Sequence, residues 1–291
     1  MDKLIAKHKT VVHFASVVGV EETISHTKRT VENLNGTLNV VSALTPEHLT
    51  LFSSSADVYG AHSHLYDRAM REDDYFLFQN ARVNRWVYPH VKTLEENLIM
   101  NSAARSVVIR VFNTYGPAMD FPAPKRVIPH FIDRVLKGQS LRLSGNGSQR
   151  RCFCYAEDMI RGMVLALVHT ASQSAPFSEC FNLGSSDPIT IRELAHKIVG
   201  IAGDLEMLAK PCAVRPHAFR YSQNFDDSWS RVPDITRAKK ILGFHPKVSL
   251  SDGLKSTLIY YRNLINASAL TLTTLSQGAR ETLAWPIESA A

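Results

Sequence analysis

The sequence predicts an α/β fold built on a parallel sheet, and two observations carry that reading. Short apolar runs of strand length alternate with long segments of helical periodicity, the order of β-α-β units whose sheet is covered on both faces. The composition, 45% hydrophobic and 21% charged over 291 residues, supplies a sizeable core and excludes disorder across the chain.

Residues 11–15 read as a buried strand and 21–44 as one long helix, with Ile24, Val31, Leu34, Leu38 and Val41 at helical spacing. A second strand, 49–53, ends in a serine-rich turn. Residues 88–100 are helical, with Leu94, Leu98 and Ile99 on one side, and 106–111 form the third strand. Pro117, Pro122, Pro124 and Pro129 mark a boundary loop. A helix (129–137), a short strand (141–143), a Gly-Asn-Gly turn, a strand (152–155) and a helix (158–168) follow. Thr190 with Glu193 makes a capping box for a helix over 190–202. Gly243 and Pro246 stop a helix over 234–242, and the last helix spans 250–264. Residues 266–291, rich in Ala, Ser and Thr, read as a flexible tail.

The net charge of +6 is dispersed, and its longest clusters are pairs such as Arg150-Arg151 and Lys239-Lys240. That suits an anionic small ligand and gives no nucleic-acid surface. Cys152, Cys154, Cys180 and Cys212 form no C-x-x-C pair, so neither a disulfide framework nor a metal site is expected. The apolar run 11–20 is broken by His13 and Ser16 and is too short to span a bilayer. A cytoplasmic protein without membrane association is the expectation.

Three constellations bear chemistry. Tyr88 and Lys92 lie four apart on a helix, so phenol and ammonium share a face, and a nearby cation favours the phenolate of a general acid/base. Ser53 to Gly60 directly follows a strand, at the carboxyl edge where parallel sheets bind ligands. The turn Gly145-Asn146-Gly147 delivers Arg150 and Arg151 to a strand start, where a guanidinium can clamp a diphosphate.

In this order the pieces resemble the extended short-chain dehydrogenase/reductase family, the NAD-dependent epimerases and dehydratases of nucleotide sugars. The matching segments are His13-Phe14-Ala15-Ser16, Asn33-x-x-Gly36-Thr37-x-Asn39, Ser53 to Gly60, Tyr88-x-x-x-Lys92 and Arg110 to Pro117. Gly145 to Asp158, Phe181-Asn182-Leu183-Gly184 and Arg231-Val232-Pro233-Asp234-Ile235 complete the set, over roughly residues 10 to 264. The resemblance implies oxidation at sugar C4, with Tyr88 taking the hydroxyl proton, Ser55 bonding the same hydroxyl, and Lys92 holding the nicotinamide ribose and lowering the phenol pKa. Ala15, Ser53, Tyr88 and Lys92 would line NAD, and Asn113, Arg151 and Arg231 would hold the UDP-sugar diphosphate. A homodimer through the helices 21–44 and 88–100 is also implied.

Within the family, Ala56-Asp57 replaces the Asp-Glu pair of the dehydratases. Asp57 keeps the charge that the UDP-glucuronate decarboxylases carry as Glu, and residues 231–246 look most like that group. Ala118, where that group has Arg, and Val91, where a Ser precedes the Lys, depart from it. A 4-epimerase, or a catalytically inactive sugar-nucleotide-binding fragment, is the alternative reading.

The 14 glycines include no G-x-x-G-x-x-G loop, and the first strand matches the family's fourth. The expectation is an N-terminally truncated Rossmann-like sheet lacking ~60 residues, taking ~30 or more per β-α-β unit. Its domains are residues 1–115 plus 151–184 for NAD, and 116–150 plus 185–265 for the nucleotide sugar. Without a glycine cradle several contacts to the pyrophosphate are lost, each worth ~1.5–3 kcal/mol. Calorimetry on the isolated chain should therefore find UDP-sugar binding, NAD binding weaker by orders of magnitude, and no turnover by the chain alone. Micromolar NAD affinity would overturn this.

Overall fold

The computed structural model describes residues 1–79, 84–119, 126–208, 210–217 and 229–282. A short helix α1 (Asp2–Ile5) precedes strand β1 (Thr10–His13), and helices α2 (Val20–Ser25) and α3 (Thr27–Val41) lead to β2 (Leu49–Ser55). Single 3-10 turns at Ala56–Tyr59, His62–His64 and Asn84–Trp86 precede α4 (Val87–Met100), β3 (Arg105–Val111) and β4 (Thr114–Tyr115). Then come α5 (Val127–Leu136), β5 (Leu141–Ser144), β6 (Arg150–Arg151), β7 (Cys154–Tyr155), α6 (Ala156–Ala171) and β8 (Phe177–Leu183). The remainder holds β9 (Ile189–Thr190), α7 (Ile191–Asp204), β10 (Val214–His217), β11 (Ser230–Arg231), α8 (Thr236–Leu242) and α9 (Leu250–Thr282).

The central sheet is parallel, in the order β1-β2-β3-β8. Alternation along each strand sends neighbouring residues to opposite faces. Phe52, Val108 and Cys180 pack with Ile99 of α4 on one face. Leu51, Val107, Ile109 and Phe181 pack on the other with Met159, Met163 and Ala166 of α6. Both faces are covered, which explains the unbroken apolar runs Leu51-Phe52 in β2 and Val107-Val108-Ile109 in β3. A second core joins α5, β5, α7 and α9 through Phe131, Ile132, Leu141, Leu143, Ile198 and Leu258.

The strand expected at 152–155 is confined to Cys154–Tyr155, the strand β8 was not expected, and two expected segments change. The long helix 21–44 is two helices, broken at His26, whose φ of −125° and ψ of 56° leave the helical region. Thr23 and Thr27 on either side turn their hydroxyls back to the Val20 and Ile24 carbonyls, a local bonding that bends helices. Residues 236–242 form α8 and pack against α6 and β8. Gly162 permits this, because a Cβ there would lie 2.8 Å from Leu183 and 2.9 Å from Phe244. The tail is helical to Thr282, since no proline interrupts the Ala- and Leu-containing run before Pro286; residues 283–291 lie outside the described residues.

One buried network ties the layers together. Arg110 of β3 donates through Nε and Nη2 to Glu96 of α4 at 3.1 and 2.9 Å, and through Nη1 to the Tyr59 hydroxyl at 2.9 Å and the Glu72 carbonyl at 2.8 Å. The Tyr59 hydroxyl donates to Asn182 Oδ1 at 2.7 Å, and the Asn182 amide donates to the Met70 carbonyl at 3.0 Å. The network fixes α4 relative to β3, β8 and the segment that follows β2.

Candidate active site

Parallel strands carry their carboxyl ends to one edge, and the candidate residues collect there. The Ser55 hydroxyl caps the turn Ala56–Tyr59 by accepting the Asp57 N–H at 3.2 Å, and it is also a hydrogen-bond partner of the Tyr88 phenol. Tyr88 and Lys92, on the first two turns of α4, are both buried. Ser53 of β2 contributes its carbonyl, which accepts from Lys92 Nζ at 3.2 Å. Tyr88, Ser55, Lys92, Ser53 and Asp57 therefore form one cluster. Ala15, just past the end of β1, is exposed.

Asp57 is held between two guanidinium groups. Arg85 Nη2 donates to its Oδ1 at 2.8 Å, and Arg231 Nη1 lies 2.7 Å from the same oxygen. Burial alone would raise the Asp57 carboxyl, but Arg231 and then Arg85 hold it well below the ordinary carboxylate range, with Arg151 adding to the effect. Arg151 stands beside Arg231 because β6 and β11 pair in that register. Three guanidinium groups thus surround one carboxylate, and the buried Nε of Arg231 has no hydrogen-bond partner. Asn113 lies on the same rim, its side-chain amide donating to the Cys152 carbonyl at 3.2 Å.

The phenol departs from expectation. Burial and then the Asp57 carboxylate push the Tyr88 pKa above its ordinary value, and the Ser55 hydrogen bond only partly offsets them. Lys92 Nζ lies 6.0 Å from the centre of the Tyr88 ring, 4.6 Å from that of Phe52, and 3.0 Å from Glu95 Oε2.

Two site residues escaped sequence reasoning. Arg85 sits in the 3-10 turn Asn84–Trp86, three positions before Tyr88, with no motif to mark it. Glu95 had a usable signal: Tyr88, Lys92 and Glu95 follow i, i+4, i+7 spacing along one helix face. Apart from the site, Arg134, Arg142, Lys210, Arg215 and His217 line a cleft of about 520 Å³ that contains none of these residues. No cluster of metal-ligating side chains occurs among the described residues.

A nicotinamide has matching groups here. Lys92 carries three N–H donors; one goes to the Ser53 carbonyl, the ammonium pairs with Glu95 at 3.0 Å, and donor capacity remains for a ribose hydroxyl beside Tyr88. For the pyrophosphate the chain contains no glycine loop of the G-x-x-G-x-x-G kind.

The comparisons with known proteins agree with this geometry. Residues 1–184 match the NAD dependent epimerase/dehydratase family. The UDP-N-acetyl-alpha-D-glucosaminuronate decarboxylase of Bacillus cytotoxicus is 32% identical over 271 residues, 91% of this chain and 80% of that protein. UDP-glucuronic acid decarboxylase 6 of Arabidopsis thaliana is 31% identical over 231 residues, but this chain spans only 60% of its length. Among solved structures, UDP-glucuronic acid 4-epimerase from Bacillus cereus, in complex with UDP-glucuronic acid and NAD, superposes with a TM-score of 0.72 at 25% identity, over 90% of this chain and 78% of that one. UDP-glucose 4-epimerase of Thermotoga maritima reaches 0.75 at 24% identity, over 91% of this chain and 81% of that one, a likeness of fold. A parallel sheet with helices on both faces, a Tyr-x-x-x-Lys helix at its carboxyl edge and a family match over more than half the sequence lead to one conclusion: the chain belongs to the NAD-dependent epimerase/dehydratase family.

Proposed function

We propose that this site acts on a UDP-linked hexuronate, oxidising C4 with NAD and releasing the C6 carboxylate as CO₂, as a UDP-glucuronate decarboxylase does. The observation that supports it best is the gathering of guanidinium groups beside Tyr88: Arg85 and Arg231 both pair with Asp57, and Arg151 acts on the same carboxylate. A sugar that brings a carboxylate as well as a diphosphate suits such a cluster. Arg151, Arg231 and Asn113 are proposed for the diphosphate end, and Arg85 with Arg231 for the uronate.

When bound, NAD supplies the hydride acceptor for C4. Tyr88, deprotonated, takes the proton of the 4-hydroxyl, and Ser55 holds that hydroxyl in place. The 4-keto uronate is a β-keto acid: as the C5–C6 bond breaks, its electron pair passes into the enolate formed across C5, C4 and the 4-oxygen. Asp57 keeps the guanidinium groups in place during this step. A proton then adds at C5, and Tyr88 returns its proton to the 4-oxygen as the hydride comes back. A 4-epimerase would share the first step and keep the carboxylate.

We also propose a homodimer. Val31 and Leu38, seven apart on α3, and Leu94 on α4 are exposed apolar residues on two helices that pack side by side. A second copy covering them would form a four-helix interface. The four cysteines are free, and a reducing compartment, the cytoplasm, is the proposed location. No helix among the described residues is long and apolar enough to cross a membrane.

Three measurements test these proposals. In a form that turns over, Tyr88→Phe should lower kcat by ~10²–10⁴ and leave sugar-nucleotide affinity nearly unchanged; an unchanged kcat removes Tyr88 from the mechanism. Calorimetry should find UDP-glucuronate bound more tightly than UDP-glucose, and Arg231→Met should erase ~10-fold or more of that preference, the worth of one charge-assisted bond. Equal affinities in the unsubstituted protein would remove the uronate reading. Light scattering at micromolar concentration should give a dimer that Leu38→Glu dissociates; a monodisperse monomer would count against the interface.

A further inference from the structure

Behind Lys92 lies a line of buried polar groups that neither the motif nor the proposed chemistry uses. Glu95 is fully buried and sits one helical turn beyond Lys92, its Oε2 3.0 Å from Nζ. Its other oxygen, Oε1, accepts the Thr37 hydroxyl of α3 at 2.6 Å. Thr37 is fully buried as well, and its oxygen lies 2.9 Å from His13 Nε2 of β1. The directions follow from donor inventory. Thr37 spends its one proton on the carboxylate, so its oxygen must accept, and His13 must carry its proton on Nε2. Every donor in the line points toward Glu95.

We propose that Glu95 is a positioning residue for Lys92: fixed by His13 and Thr37, its carboxylate holds the Lys92 ammonium charged and in place beside the site. The reasoning is electrostatic. A lysine this deeply buried loses much of its preference for the charged form through desolvation, and an adjacent carboxylate restores part of it. One N–H is committed to the Ser53 carbonyl, and the ion pair with Glu95 Oε2 at 3.0 Å holds the ammonium from a second side. The groups facing the pair are few. On α4 they are Tyr88 and Glu96, and from β1 His13, whose own pKa is lowered by burial and by Lys92; α3 contributes Thr37 and β2 the Phe52 ring and the Ser53 carbonyl. The inference rests on Lys92 working in the proposed site, but its primary test reads the lysine without turnover, so the two can fail separately.

The test is the titration of Lys92 by NMR on the full chain carrying ¹³C-labelled lysine, with Lys92→Arg to assign the signal. Glu95→Gln should lower the Lys92 midpoint by more than ~1 unit while circular dichroism reports an intact fold. Thr37→Val should move it in the same direction by less, and Thr37→Ser, which keeps the hydroxyl, should leave it in place. In a form that turns over, Glu95→Gln should bring the alkaline limb of the pH–rate profile to lower pH, and Glu95→Asp should restore part of it. An unmoved Lys92 midpoint in folded Glu95→Gln overturns the proposal. If Glu95→Gln does not fold, the Thr37 pair decides it: equal midpoints in Thr37→Val and Thr37→Ser overturn it.

Discussion

The guanidinium of Arg110 stands under everything that happens at the sheet's carboxyl edge. It is a buried cation, and burying it is costly unless every donor finds an acceptor. Glu96, Tyr59 and the Glu72 carbonyl provide them, and each comes from a different part of the chain. The helix that carries Tyr88 and Lys92 is thereby indexed against the strand beside it, and the turn that carries Asp57 is indexed against both through Tyr59. Removing one partner of such a pair costs ~3–5 kcal/mol, because the remaining charge is stranded. Hydrophobic packing of α4 on Phe52 and Val108 holds the helix down, and the ionic network decides its rotation and height.

The site built on that frame is a problem in charge balance. Tyr88 is surrounded so that its neutral form is favoured: it is buried, and a carboxylate lies near. The same carboxylate is what keeps Arg85 and Arg231 close to the phenol. If Tyr88 is the proton acceptor proposed above, it needs a cation on its other side, which gives the state of Lys92 its weight.

Much of this was legible in the residues. Alternating apolar runs revealed the parallel sheet, and the capping box at Thr190 is formed as the spacing predicted, with Glu193 accepting the Thr190 N–H at 2.8 Å. Ordered motifs located Tyr88, Lys92, Ser55 and Asp57 before their geometry was known. Three things were not legible, each for a physical reason. The break at His26 depends on threonine hydroxyls choosing backbone carbonyls, a competition that apolar periodicity does not register. The strand β8 carries polar Ser178 and Glu179 in its first half, and its Phe181-Asn182-Leu183 end alone reads as a motif. Arg85 is distant in sequence from its partner Asp57, and only folding makes the pair.

Asp57 has one further consequence. Two guanidinium groups that would otherwise collect any passing anion are already occupied by a carboxylate tethered to the same chain, an intramolecular competitor at high effective concentration. A free carboxylate in solution has to outbid a group that never diffuses away. On the proposed function a uronate delivered on a nucleotide would arrive tethered too, anchored by its diphosphate, and selection would become a contest between two tethers.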